Sequence, residues 1–324
     1  MSTFYKAWSL DEDILKDSSS GGVFTLIARY VLQNNGVVYG AEQGPDYQLR
    51  HIAVFDEENL YRIRKSKYYQ SDFSCVYTGV KDNLKNSILT LVTGTACQIQ
   101  SLICYLNAAG ISTDKLITID VLCHGVSNKK VLEKYIISQE HRFQKKIQNV
   151  AFRTKEVPWY KGGGTSMTLF FEDGTRRVFR WKEDAYFLGF NNDLILRPSC
   201  YECRFVGMNR ISDFTLGDFW GISPNSVEKK HLESGISLMV VNTAKAEEII
   251  SNPYFKKVCC FEEVDPATAT PYNAAFHTRR KRHRNRGLFF DKYNQADFNA
   301  LIKKCLFKEI LIYKLKEIYH GIFG

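Results

Sequence analysis

The sequence ILTLVTGTACQIQSLICYLNAAG, residues 88–110, predicts a strand, a turn of small residues and a helix. β-Branched residues and leucines fill the strand from Ile88 to Val92, and the apolar residues from Cys97 to Leu106 recur with helical spacing. The sequence KLITIDVLCHGVSNKKVLEKYI, residues 115–136, repeats this order. Strands that alternate so closely with helices predict parallel β-α-β units, in which ligands bind at the carboxyl ends of the strands.

The neighbouring segments extend this pattern in both directions. Upstream, Gly21-Gly22 leads an apolar stretch from Val23 to Leu32 that predicts a helix, and Val37 to Tyr39 is β-like. Downstream, Asp173-Gly174 between alternating residues indicates a hairpin, and residues 235–250, GISLMVVNTAKAEEII, predict a further strand and helix. We therefore predict an α/β fold with a parallel β-α-β core, an antiparallel β hairpin segment and C-terminal helices.

A change of pattern near residue 145 divides the chain. It predicts a soft boundary between an N-terminal part, residues 1–145, and a C-terminal part, residues 146–324. No repeat and no evident linker separates the two parts, so we expect them to pack as one unit.

Composition and charge narrow the class of protein. The chain has 324 residues, of which 44% are hydrophobic and 14% aromatic, as in a packed globular protein. The net charge of +9 is concentrated in two segments, which indicates local anion sites rather than a nucleic-acid-binding surface. We see no secretion signal and no apolar run of the ~18 residues that a membrane span needs. Nine cysteines in such a chain fit a reducing cytosol, so we expect a cytoplasmic protein.

Four of the cysteines lie in short, turn-rich contexts that suit metal binding. Cys97 and Cys123 follow predicted strands, and Cys200 with Cys203 forms the C-x-x-C pair of PSCYECRF. Four such thiolates can ligate either a zinc ion or an iron–sulfur cluster, and composition does not separate the two. The arrangement favours a cluster, because structural zinc sites usually take two C-x-x-C-type pairs. We interpret Cys104 and Cys305 as small core residues. Cys75, Cys259 and Cys260 have no partner motif.

A series of short motifs resembles the coenzyme F420 hydrogenase/dehydrogenase beta-subunit family. The motifs occur in the family order over most of residues 18 to 222, and together they are specific although each alone is weak. They are SSSGGVFT, VVYGAE, RIRKSKYYQSD, TGTACQI, DVLCHGV, LRPSCYECRF and SDFTLGDFWGI. The segment AFHTRRKRHRNRGLFF is similar to the family's C-terminal ending.

This resemblance implies an iron–sulfur flavoprotein oxidoreductase with FAD and one 4Fe-4S cluster. The family's cluster ligands match Cys97, Cys123, Cys200 and Cys203 one for one. Its flavin is expected against the glycine-led helix, whose free amides also suit phosphate, and against the S-K-Y segment. The cofactor candidates are therefore Ser20, Gly21, Gly22, Ser66, Lys67 and Tyr68, with Gly94 and Thr95 nearby because they end a strand.

The same resemblance implies partners but leaves the substrate open. We expect a ferredoxin-like electron donor or acceptor protein and an anionic small molecule, which is either an F420-type deazaflavin or a sugar intermediate of surface-polysaccharide biosynthesis. Residues 1–74 contain no cysteine, so this is a variant without the ferredoxin-like segment of many relatives. The alternative is a non-catalytic, zinc-stabilised scaffold or interaction protein that uses the same four cysteines.

Several further residues have two interpretations each. His124 either passes protons at the flavin, as a catalytic residue, or is an ordinary loop histidine, and His51 is structural or exposed. Asp213 and Asp218 either position a flavin or stabilise the turn that holds the cluster loop, and we favour the turn. The aromatic candidates for stacking on a flavin or for packing in the core are Trp159 and Trp220.

Two basic segments complete the set of candidates. The run Arg279 to Arg286 either binds an anionic ligand or is a solvated surface, and nucleic acid is the least favoured partner. In the tail from Leu301 to Gly324, one helical face carries Leu311, Leu315, Ile318 and Ile322. We expect this face to pack on the protein itself rather than on a membrane surface.

Overall fold

A computed structural model describes residues 2–159, 166–222, 225, 227 and 229–323, with side chains to residue 316 in the last helix. The strands in chain order are β1 (Thr3–Ser9), β2 (Val37–Gln43), β3 (Leu49–Val54), β4 (Thr90–Thr95), β5 (Leu116–Val121), β6 (Ile147–Phe152), β7 (Met167–Phe171), β8 (Arg176–Phe179), β9 (Phe214–Asp218), β10 (Ser237–Val241) and β11 (Cys259–Glu263). The helices are α1 (Glu12–Lys16), α2 (Val23–Gln33), α3 (Ser74–Lys85), α4 (Ala96–Ala108), α5 (Lys129–Phe143), α6 (Ala185–Asn191), α7 (Lys229–Ser234), α8 (Ala244–Ser251), α9 (Pro253–Val258), α10 (Pro266–Ala269), α11 (Arg286–Lys292), α12 (Phe298–Cys305) and α13 (Phe307–Phe323).

One large mixed sheet organises the fold. In the described part of the chain its strand order is β11-β1-β10-β9-β5-β4-β2-β3. The central strands β2, β4, β5 and β9 are parallel, as the β-α-β pattern predicted, while β1, β3, β10 and β11 pair antiparallel on the two flanks. The predicted α/β fold with a parallel core is therefore confirmed.

The loops that follow the parallel strands β4 and β5 lie at the same edge of the sheet. β4 runs directly into α4, whose first turn is closed by Thr95 and Gln98, because the Thr95 amide donates to Gln98 Oε1 at 3.0 Å. After β5, the loop that carries Cys123 ends at Asn128, which caps α5 by accepting from the Lys130 amide. Side-chain oxygens that satisfy free helix amides fix where each helix begins, and with it the position of each loop.

A smaller antiparallel sheet packs beside the large one. β6, β7 and β8 pair in sequence order, and the turn at Asp173-Gly174 joins β7 to β8 with Gly174 at a φ of 78°. The predicted hairpin is therefore confirmed. Its apolar face shares a core with α5, α6 and α12, in which Tyr135, Phe187 and Phe298 are fully buried.

Strands from both sides of residue 145 build the same large sheet. β1 lies between β10 and β11, with Thr3 opposite Val241. The Gly21 amide donates to Ser237 Oγ at 3.0 Å, which attaches the loop before α2 to the start of β10.

The C-terminal helix packs through a different face from the one predicted. Leu311 and Leu315 are 47% and 56% exposed, whereas Ile310 and Tyr313 contact the core. The expectation that the Leu311 and Leu315 face packs on the protein is therefore wrong for these two residues, and the side chains of Ile318 and Ile322 lie outside the described residues. A separate search of the described helices finds none that is long and apolar enough to cross a membrane.

Candidate functional site

A cavity of about 640 Å³ opens at the edge of the sheet where β4 and β5 end. Its walls come from the start of α2, from the Ser66–Tyr68 segment, and from the loops after β4 and β5. Most of the residues predicted to bind cofactor or to act in catalysis line it, together with two of the four cysteines. They are Ser20, Gly22, Ser66, Lys67, Tyr68, Gly94, Thr95, Cys97, Cys123 and His124.

The start of α2 forms one end of the cavity. Gly22 precedes the helix at a φ of 81°, a left-handed conformation that favours glycine, and has no side chain to cap the helix amides. Gly21 lies behind it, where a Cβ atom would overlap the carbonyl oxygen of Ala7. The Ser20 hydroxyl is buried without a hydrogen-bond partner among the described residues. This end of the cavity therefore combines open helix amides with an unsatisfied hydroxyl, a combination that suits an anionic group.

A buried ion pair between Arg153 and Asp218 supports the loop before α2. The two guanidinium nitrogens lie 2.8 and 2.5 Å from the two carboxylate oxygens, and Arg153 also donates to the Ser19 carbonyl oxygen at 2.6 Å. Lys155 donates to the carbonyl oxygens of Ser20, at 2.8 Å, and Leu15. Burial lowers the pKa of Lys155 to about 7. The end of β6 thus clamps the loop before α2, a contact that the sequence does not signal.

The Asp218 carboxylate is held by hydrogen bonds from two side chains, as expected of a structural residue. Besides Arg153, it accepts from Trp159 Nε1 at 3.0 Å. Trp159 stacks on Trp220 with ring centroids 4.7 Å apart and planes 3° from parallel. Trp159 is therefore buried against another aromatic residue, while Asp218 and Trp220 also line the cavity.

Lys67 places a cation in the cavity wall. Its ammonium group donates to the carbonyl oxygens of Ala41 and Arg64 at 2.7 and 2.5 Å. Loss of hydration lowers the pKa of Lys67 to about 7. The neighbouring Ser66 amide donates to Ser19 Oγ at 2.9 Å, and the Tyr68 ring packs on Phe190. The S-K-Y segment is therefore fixed against the loop before α2.

The other three predicted ligand cysteines lie near enough to Cys123 to affect the pKa of its thiol. Burial above all, and then the thiols of Cys200, Cys97 and Cys203, raise the pKa of Cys123 to about 12. Cys97 is exposed in the first turn of α4, and Cys200 lies in a short 3-10 helix that precedes Cys203. The amide of Val126 donates to Cys200 Sγ at 3.5 Å. Among the described residues, no three His, Cys, Asp or Glu side chains converge closely enough to hold a metal ion.

A buried ion pair attaches the loop that follows the C-x-x-C pair to β5. Arg210 Nη2 lies 2.8 Å from Asp120 Oδ2, and Arg210 also donates to the Phe205 carbonyl oxygen at 2.8 Å. Burial raises the pKa of Asp120, and the Arg210 guanidinium opposes this effect. Sequence reasoning missed this pair, although an acid inside the otherwise apolar strand Leu116–Val121 signals a buried partner.

The residues of the basic run, Arg279 to Arg286, fall into two groups: some hold neighbouring segments in place, and others are exposed. Arg286 donates to Tyr201 Oη at 3.1 Å and to the Leu196 carbonyl oxygen at 2.8 Å, so it braces the segment between Cys200 and Cys203. Arg284 and His283 contact Glu309. By contrast, the basic residues with exposed side chains and no ion pair in the described part of the chain are Arg279, Lys281 and Arg282.

His124 is half-buried beside the cavity and is held through one ring nitrogen. Nε2 lies 2.8 Å from Asp193 Oδ1 and 3.1 Å from the Phe190 carbonyl oxygen. His51 also lines the cavity, and it is buried rather than exposed. Its Nε2 contacts the Thr93 carbonyl oxygen at 2.9 Å, and burial lowers the pKa of His51 to about 4.

Two other interpretations are now decided. Asp213 accepts from the Thr118 amide at 2.8 Å and from Thr243 Oγ1 at 2.7 Å. It therefore links β5 to the start of α8, and it lies away from the cavity wall. Cys305 is buried as expected, but the prediction that Cys104 is a core residue is wrong because Cys104 is exposed on α4.

Two family models match the sequence over most of its length. Residues 4–76 match the model for the N-terminal part of the coenzyme F420 hydrogenase/dehydrogenase beta subunit. Residues 89–267 match the model for the C-terminal part of the same beta subunit. No curated protein matches the chain significantly.

The fold is similar to that of a solved protein. A chain of the F420-reducing NiFe hydrogenase complex from Methanosarcina barkeri matches with a TM-score of 0.54 and 19% identity, over 83% of this chain and 84% of that one. At this identity the similarity concerns the fold alone. Since the C-terminal family model by itself spans more than half of the sequence, this chain belongs to the family of coenzyme F420 hydrogenase/dehydrogenase beta subunits.

Proposed function

We propose that this chain is an iron–sulfur flavoprotein oxidoreductase with a flavin and one 4Fe-4S cluster. Membership of a hydrogenase/dehydrogenase family supports the oxidoreductase, electron-transfer role. One observation carries the finer proposal: the cavity is lined both by the glycine-led start of α2 and by Cys97 and Cys123. A flavin exchanges hydrides and a cluster exchanges single electrons, so together they supply two-electron and one-electron chemistry at one site.

The four cysteines are proposed as cluster ligands on the chemistry of their side chains. All four are free thiols, and soft anionic sulfur is the ligand that such clusters take. The backbone amide of Val126 donates to the Cys200 sulfur. Hydrogen bonds to ligand sulfur stabilise the reduced state and raise the reduction potential.

The opposite end of the cavity fits the phosphate part of a flavin. The start of α2 offers free amides, and the unpartnered Ser20 hydroxyl is available to a bound group. Lys67 adds a basic group to the same wall, whereas the charges of Lys65 and Arg153 are paired with Asp17 and Asp218. FAD is the flavin that we propose, and the substrate that we expect is an anionic small molecule.

His124 is the residue that we propose for proton transfer. It lies next to Cys123 and lines the cavity, and Asp193 holds its Nε2 atom, which fixes the orientation of the ring. An imidazole placed beside a cofactor can act as a general acid or base through its ring nitrogens. The electron partner that we propose is a ferredoxin-like protein, and the substrate is either an F420-type deazaflavin or a sugar intermediate.

Anaerobic purification tests this function directly. We expect a brown protein with broad absorption near about 400 nm and flavin bands, and iron and sulfide in the ratio of one 4Fe-4S cluster. Cys200→Ser should abolish the cluster, whereas Cys104→Ser, an exposed cysteine outside the site, should leave it intact. Zinc in place of iron, or equal tolerance of both substitutions, would contradict the proposal. Steady-state reduction assays with the deazaflavin and with nucleotide-sugars then separate the two substrate classes.

A further inference from the structure

The loop that carries the C-x-x-C pair forms an exposed apolar patch at the protein surface. Met208 and Ile211 on this loop are 38% and 39% exposed, and Val121 at the end of β5 is 38% exposed. Arg210 holds the loop to this strand end, because it donates to the Val121 carbonyl oxygen at 3.4 Å and pairs with Asp120. The patch therefore lies over the segments that carry Cys123 and Cys203.

Exposed cations lie on the same loop as this patch and on the basic run that contacts the loop. The structure brings the two segments together: the Gly207 amide donates to the Ala275 carbonyl oxygen at 3.0 Å, and Arg282 stacks over the Tyr201 ring at 5.6 Å. Glu202 is the single acid in residues 200–211, and residues 277–288 contain none. We call these cations the basic rim: Arg204, Arg279, Lys281, Arg282 and Arg284.

We propose that the apolar patch and its basic rim dock a small acidic electron-carrier protein directly over the cluster loop. An apolar centre inside a charged border is the usual arrangement of a transient protein interface. Opposite charges steer such partners together and set the rate of association. A single-stranded nucleic acid would instead require aromatic platforms, and the centre of this patch is aliphatic.

This inference rests on the proposed cluster. One electron leaves the reduced carrier, which becomes oxidised, and enters this protein, which becomes reduced; no bond forms or breaks. Val121 is two residues from Cys123, and Met208 is five residues from Cys203, so the patch belongs to the same segments as two of the proposed ligands. A carrier docked on the patch therefore contacts the segments that would hold the cluster.

Charge reversal on the rim provides the test. Arg279→Glu with Lys281→Glu changes two exposed residues that make no ion pair within the described chain. Lys256→Glu with Lys257→Glu is the matched control, because it makes the same change of net charge on α9, beside β11 at the far edge of the sheet. Each anaerobically purified full-length protein is mixed in a stopped-flow instrument with a reduced, acidic plant-type ferredoxin at several salt concentrations.

At low salt, the rim variant should accept electrons from the ferredoxin at least about 10-fold more slowly than wild type, and its rate should lose most of its salt dependence. The control variant should stay within about 2-fold. Reduction by dithionite, which needs no docking, should be equal in all three proteins. A wild-type rate in the rim variant, or an equal loss in the control, overturns the docking surface while the cluster stands. If electron paramagnetic resonance finds no cluster in wild type, the proposed function fails and this inference fails with it.

Discussion

Asp120 and Arg210 form a buried ion pair between the end of β5 and the loop that follows the C-x-x-C pair, with 2.8 Å between Oδ2 and Nη2. The side chains are 0% and 2% exposed, so water screens neither charge. Because β5 leads directly to Cys123 and Arg210 follows Cys203 on the loop, the pair links the two segments that carry these proposed ligands. Its removal should therefore affect both the free energy of unfolding and the cluster.

Arg210→Met should lower the free energy of unfolding by about 3–5 kcal/mol, because the Asp120 carboxylate would stay buried without its partner. We also expect the iron content to fall, since the loop loses its anchor. Urea denaturation and iron analysis measure the two effects. The double variant Asp120→Asn, Arg210→Met removes the stranded charge and should recover part of the stability. A double variant as unstable as the single one would show that the charge is not the cause.

Gly21→Ala should destabilise the protein by about 1–3 kcal/mol. The added Cβ would overlap the Ala7 carbonyl oxygen and lie 2.9 Å from the Ser237 amide nitrogen, and both are backbone atoms that cannot turn away. Gly287→Ala is the control, because it lies in α11 with open space around the same position. In a helix this exchange should raise the melting temperature slightly. Equal melting temperatures for the two variants would argue against the close packing at Gly21.

The carboxyl group of Asp184 should make stability depend on pH. Burial raises its pKa to about 6 in the folded protein, above the value of an exposed aspartate, and it accepts from Tyr135 Oη at 2.5 Å. Between about pH 4 and pH 6 the folded state therefore holds a proton that the unfolded state has lost. The contribution of this group is fully present below about pH 4, and stability falls as the pH rises to about 6.

Asp184→Asn should remove this dependence while keeping the cap, since asparagine also accepts from the Phe187 amide at the start of α6. Relative to the variant, wild type should lose roughly 3 kcal/mol between pH 4 and pH 6. Urea denaturation at a series of pH values measures this difference. A wild-type and variant pair whose stabilities change in parallel would show that Asp184 titrates normally.

Local patterns in the sequence were sufficient for the central part of the fold and for one end of the cavity. The T-G-T-A-C and L-C-H-G segments predict loops at the ends of adjacent parallel strands, and such loops must meet at one edge of the sheet. That geometry accounts for Gly94, Thr95, Cys97 and Cys123, whereas the candidates in the segments 20–22 and 66–68 were implied by the family resemblance. The sequence predicted β10 as a strand, but the antiparallel pairing of β10 and β11 with β1 leaves no comparable signal, because these partners are far away in the sequence.

Long-range pairs and solvent exposure were the parts that the sequence did not reveal. Arg153 and Asp218 are 65 positions apart, and neither belongs to a periodic pattern that would announce the other. Cys104 lies within an apolar-periodic helix, yet the buried face of α4 is formed by Ile99, Leu102 and Leu106, and Cys104 lies to one side of it. Periodicity indicates that one face is buried, and it does not fix how wide that face is.

The position of β1 has a consequence for synthesis on the ribosome. This strand is made well before both of its neighbours, β10 and β11, and the hydrogen-bond partner of the Gly21 amide lies 216 positions downstream. Until then Phe4 and Trp8, which the finished protein buries, remain accessible to chaperones and to other nascent chains. Completion of this flank must therefore follow release of most of the chain, and contacts of such sequence separation form slowly.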